Sequence, residues 1–241
     1  VDPLSLALAA VAAFALAVVS AVAGFGGGVV LLPVFTALFG LRVAVPVLTL
    51  AQLVSNGSRV ALNSRHIEWR LVRNFALGAV PTALAFGLLF ATAPAAGLQR
   101  VLGVFLLAVV VLRHVRRRQL GRPSPRAFVA VGAASGAGSA LLGSVGPLTA
   151  PFFLAYGLVK DAYIGTEAAG AVVMHAAKLA AYGTGDLVSA RVAALGAVLA
   201  PATMLGAWTG KRLVHRMDER VFTVLVEVGL VVSGVFLVLG A

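Results

Sequence analysis

The chain has 241 residues, 61% of them hydrophobic, with 27 glycines and no cysteine, and its mean hydropathy is +1.03. The formal net charge of +11 would suit a nucleic-acid partner, but the basic residues crowd between apolar runs, above all in RHVRRRQLGRPSPR from Arg113 to Arg126; that is how loops on the cytoplasmic side of a membrane read. Composition thus argues against a soluble domain and against nucleic acid, and the lack of cysteine excludes disulfides and thiolate metal sites.

Apolar stretches near the roughly 20 residues needed to cross a bilayer recur along the whole chain, which makes it an all-α polytopic membrane protein. Punctuation by glycine, proline and charge divides it into ten segments, near 4–23, 29–40, 43–62, 71–92, 98–113, 127–142, 147–158, 162–182, 188–208 and 221–240. The first segment carries Asp2 rather than a basic n-region and no polar domain follows it, so a retained helix is expected instead of a signal peptide. The second and seventh segments are short for a span and follow glycine-rich breaks, GFGGG at Gly24 to Gly28 and GSVG at Gly143 to Gly146.

The second half echoes the first. In order, Pro33, Arg42, Asn56, Arg59, Pro81 and Arg100 match Pro151, Lys160, His175, Lys178, Pro201 and Arg220, at an offset that drifts only from 118 to 120. This is the trace of an internal duplication, residues 1–118 and 119–241 within one membrane domain. Five segments per half would insert the second copy upside down, the inverted repeat found among secondary transporters. The basic loops 63–73, 113–126 and 211–220 follow segments three, five and nine. All three then fall on the cytoplasmic face. Ten crossings with both termini outside, or a re-entrant hairpin at each glycine-linked pair, both satisfy that charge pattern.

Irregular backbone in hydrocarbon survives only where protein or water surrounds it, so the glycine breaks are expected to face the interior. A helix that restarts after a break offers free N–H groups and a positive dipole end to an anion. Gly26, Gly27 and Gly28 in the first half, with Gly143, Ser144 and Gly146 in the second, are therefore candidate anion contacts. The bland alternative is close packing of helices on small residues.

The third and eighth segments add a second constellation. Gln52, Ser55, Asn56 and Arg59 share one helix face, as do His175, Lys178 and Tyr182. Arg59 and Lys178 could each reach a membrane edge as anchors; their matching positions favour a shared polar pathway that attracts anions. Glu227, well inside the last segment, and Glu167, near the start of the eighth, are candidates for an ion pair or for binding a coupling proton. No H-E-x-x-H, G-x-S-x-G or G-x-x-x-x-G-K occurs, so no enzyme is expected. No metal or cofactor is expected either.

GFGGGVVLLPVF, LVSNGSRVALNSRHIEWR, GSVGPLTAPFFLAYG and HAAKLAAYGTGDL together make the chain similar to the TauE/SafE family of sulfite-exporter-type permeases. The resemblance implies export of small sulfur-containing anions such as sulfite or organosulfonates from a bacterial cell through its inner membrane, driven by a proton or ion gradient. Residue by residue it implies roles for Gly26 to Gly28, Asn56, Arg59, Ser144, Gly146, His175 and Lys178. The expected partners are a small anionic substrate, membrane lipids and a second copy of the chain. A passive anion channel or uniporter, and a non-transporting membrane scaffold, are the competing readings.

Overall fold

The computed structural model describes residues 3–23, 27–94, 97, 104, 121–143 and 146–213, and among them every regular element is helical. The helices are α1 (Pro3–Ala23), α2 (Gly27–Phe39), α3 (Leu41–Asn63), α4 (Trp69–Thr92), α5 (Ala127–Leu142), α6 (Gly146–Tyr156), α7 (Lys160–Thr184) and α8 (Ala190–Leu213), with a 3-10 turn at Ser64–His66. Segments 98–113 and 221–240 lie outside the described residues. The other expected segments are helices whose ends fall within two residues of expectation, except that α8 runs past residue 208 to Leu213. Its last turn carries basic residues, and the Arg212 guanidinium stacks 3.6 Å from the centre of the Trp208 ring one turn earlier. Helical hydrogen bonding thus outlasts the apolar run.

Length separates the helices into two kinds. Among the described residues, Trp69–Thr92 and Ala190–Gly210 are long and apolar enough to cross a membrane, by length and composition. By contrast, α2 and α6 have 13 and 11 residues, which reach only roughly 20 and 16 Å. Gly40 joins α2 to α3 at φ +76°, a conformation that suits glycine. Its N–H closes α2 on the Thr36 carbonyl at 2.8 Å, and its carbonyl accepts from the N–H of Ala44 at 2.9 Å to open α3.

Packing follows the order of the sequence. The contacts pair α4 with α5 and α1 with α8, α4 with α7 and α3 with α8, and α3 with α7. Exchanging α1 to α4 for α5 to α8 maps this set onto itself. Two hydrophobic cores result. Ala9 and Ala13 of α1, Leu32 and Phe35 of α2, Leu48 of α3 and Leu195 and Leu199 of α8 belong to one. Phe75 and Ala79 of α4, Phe128 of α5, Phe153 of α6 and Met174 of α7 belong to the other. The second core takes α5, α6 and α7 from one half and α4 from the other, and the first takes α1 to α3 with α8, joined by Phe90 of α4 and Tyr182 of α7.

Small residues let α4 and α5 meet at backbone distance. A Cβ added at Gly132 would strike the Phe75 carbonyl, and one added at Gly78 would lie 2.7 Å from the Ala133 nitrogen. The two helices run parallel, since Asn74 Nδ2 donates to the Pro125 carbonyl at 2.7 Å and Gly136 lies against Ala79 and Thr82. In contrast, α3 and α7 run antiparallel: Gly165 packs on Asn63 near one end, and Gln52 and Lys178 share a partner near the other. These directions, with the short α6–α7 and α7–α8 connections, bring Arg65, Arg70, Arg73, Arg122, Arg126 and Arg212 to one end of the bundle.

Candidate functional site

The α3–α7 crossing gathers the buried charged and amide side chains of the described residues into a seam. On α7 the residues Glu167, His175, Lys178 and Tyr182 recur at helical spacing, and on α3 so do Gln52, Asn56, Arg59 and Asn63. All except Gln52 are buried. In a membrane such groups are costly unless they find partners or serve a passing ion.

One end of the seam is an ion pair. Arg59 Nη2 stands 3.3 Å from Glu167 Oε2, and the same nitrogen donates to Asn56 Oδ1 one turn earlier on α3. Asn63 Nδ2 donates to the Arg59 carbonyl at 2.7 Å. The Arg59 side chain is thus drawn inward to a carboxylate, and the edge anchoring that its place in α3 allowed is not what it does. Glu167 Oε2 sits outside hydrogen-bond alignment, as does the buried hydroxyl of Tyr163 on the preceding turn of α7.

The other end is built on the break after α5. Lys178 Nζ donates to the Gly143 carbonyl at 2.9 Å and to Ser139 Oγ at 3.0 Å. Gln52 Nε2 donates to the same Gly143 carbonyl at 3.0 Å. Tyr182 Oη donates to the Ala140 carbonyl at 2.6 Å. These donors satisfy carbonyls that the last turn of a helix leaves open, and the ammonium lies at the negative end of the α5 dipole. Gly143 holds φ +77° with Leu48 Cδ2 3.3 Å from where a Cβ would be, so both its conformation and its surroundings call for glycine. Lys178 is wholly buried and is no edge anchor.

Asn56 and His175 lie between the two ends. His175 is 2% exposed and its Nδ1 makes no hydrogen bond. Among the described residues the seam sets two basic side chains, Arg59 and Lys178, against one buried carboxylate, that of Glu167. Glu167 and Lys178 are eleven residues apart on α7, roughly 16 Å along the axis, so the two basic groups are held at separate levels.

Of the candidate anion contacts, Gly27 and Gly28 open α2 and Gly146 opens α6. Gly143 faces the seam with its carbonyl and not with an N–H group. Gly26, Ser144 and Glu227 lie outside the described residues. The structure adds two residues that sequence reasoning did not place in the site, Asn63 and Ser139, and gives Gln52 of the second constellation its partner. Gln52 carried a signal, being on the Asn56–Arg59 face. Ser139 sits one turn before the glycine break, and only the fold brings it to Lys178.

A family model described as sulfite exporter TauE/SafE matches residues 8–237, nearly the whole chain and all of the seam. No curated protein and no solved structure matches.

Proposed function

We propose, because the chain belongs to the TauE/SafE sulfite exporter family and so is a multi-pass membrane protein of a transporter family, that it is a secondary exporter of small sulfur oxyanions such as sulfite or organosulfonates. The observation that carries this reading is the buried seam: two basic side chains, an imidazole and several amides lie between antiparallel α3 and α7. The excess of basic over acidic groups among the described residues suits an anion. The restarted helices α2 and α6 would add N–H groups from either side.

The exchange-symmetric packing supports two repeats of five segments, inserted in opposite directions and rocking against each other about the seam. Basic residues gathered at one end support a cytoplasmic placement for that end and residence in the inner membrane of a bacterial cell. Reconstitution into liposomes tests the reading: sulfite or an organosulfonate should move across the bilayer under an imposed gradient. Failure to move any of them would end the substrate assignment. Uphill accumulation driven by a second gradient would exclude a passive channel or uniporter.

A further inference from the structure

Resting on that reading, we propose that Glu167 is a built-in competitor for the anion site at Arg59, so that the substrate anion and a proton bind together. The geometry has three parts. First, Arg59 is paired to an acidic side chain of the protein itself, 3.3 Å away across the helix crossing. An incoming oxyanion of similar shape needs the same guanidinium. Second, the carboxylate is deep in the bundle: Glu167 is only 7% exposed. A carboxylate that loses its cation in such a place must acquire a proton, because burial penalises an uncompensated charge. Third, a partner for the resulting carboxyl lies one turn away, in the buried Tyr163 hydroxyl that has no hydrogen bond of its own.

Among the described residues, Glu167 is the one buried carboxylate. On α3 the neighbours are Arg59 and the amides Asn56 and Asn63, and on α7 they are Tyr163, His175 and Lys178, with Lys160 and Asp161 exposed at its start. Arg65 and His66 of the 3-10 turn, Glu68, and Arg70 and Arg73 of α4 are exposed at the basic end; α6 contributes Tyr156. In the exchange, the oxyanion takes the place of the carboxylate on Arg59. A proton from solvent converts the released carboxylate to a carboxyl, and the guanidinium keeps its charge throughout. Each anion bound is then accompanied by a proton, and each anion released returns one.

The test is titration calorimetry of methanesulfonate, which carries no titratable proton between about pH 5.5 and 8, into the detergent-purified full chain. Buffers of different ionisation enthalpy report the protons taken up. The wild type is expected to take up about one proton per anion and to bind about tenfold more tightly for each unit of pH lowered, over the range where Glu167 is ionised in the free protein. Glu167→Gln should bind without proton uptake or pH dependence. Its thermal midpoint, lowered without anion, should rise further on adding methanesulfonate than that of the wild type. Binding by the wild type with no proton uptake would overturn the competition and leave the transporter reading standing. Undiminished uptake in Glu167→Gln would do the same. No binding of methanesulfonate, sulfite or sulfate to wild type or variant would overturn both.

Discussion

Arg59 and Glu167 meet across the α3–α7 crossing at 3.3 Å, their side chains 5% and 7% exposed. Removing one member of such a pair strands the other's charge, whereas replacing both with apolar groups of similar volume can be neutral. Arg59→Met and Glu167→Leu are each expected to cost about 3–5 kcal/mol in the absence of anions. The double variant Arg59→Met/Glu167→Leu should regain most of that loss. Thermal unfolding in detergent, read as a double-mutant cycle, checks the coupling. Simple additivity of the two single losses would show that the side chains do not depend on each other.

Lys178 occupies a different setting. Its ammonium is shared by the Gly143 carbonyl and Ser139 Oγ at a wholly buried position. Lys178→Met, which removes one of the two basic groups of the seam, should therefore weaken anion binding while leaving a folded protein. Lys178→Arg should not restore it, because the planar guanidinium is larger and fits two close acceptors poorly. Ser139→Ala removes one neutral partner and is expected to cost about 1 kcal/mol with binding retained. Anion binding by the purified variants, alongside their elution profiles, separates loss of the site from loss of the fold.

These expectations divide what the sequence disclosed from what it withheld. Arg59 and Lys178 were legible because they interrupt apolar runs at matching places in the two halves. Their fates were not. Both could have reached a membrane edge, and the choice was made by partners distant in sequence: Glu167 lies 108 residues beyond Arg59, and Gly143 lies 35 before Lys178. Hydropathy places Glu227 deeper in its segment than Glu167, but it carries no register between helices, so it does not show which carboxylate meets a cation. Helix positions were legible for the opposite reason, since the roughly 20-residue spacing of spans is imposed locally by the bilayer. The carbonyl side of Gly143 was missed because a glycine break is at once the start of one helix and the end of another.

Packing on small residues gives a prediction free of the site. A Cβ at Gly132 would meet the Phe75 carbonyl and lie 3.0 Å from its Cα; backbone cannot yield as a flexible side chain can. Gly132→Leu should prevent α4 and α5 from docking and lower the thermal midpoint sharply, or the yield of monodisperse protein with it. At Gly57 nothing lies within 4 Å of an added Cβ, so Gly57→Ala should stabilise α3 by about 0.5–1 kcal/mol. Equal effects at the two positions would mean that α4 and α5 do not approach as described.

The absence of cysteine makes orientation directly measurable, because any thiol introduced is the only one. Ser64 follows α3 and Ser124 precedes α5, both exposed at the end that gathers the arginines, whereas Ser189 is exposed before α8 at the other end. In intact cells a membrane-impermeant maleimide should label Ser189→Cys and leave Ser64→Cys and Ser124→Cys unmodified until the cells are opened. The physical reason is the same one that sorts the loops: basic residues are retained on the cytoplasmic side during insertion. Labelling of Ser64→Cys and Ser124→Cys in intact cells would reverse the orientation and leave the bundle unchanged. Different labelling of those two positions would separate ends that the parallel α4–α5 pair holds together, and would overturn the packing itself.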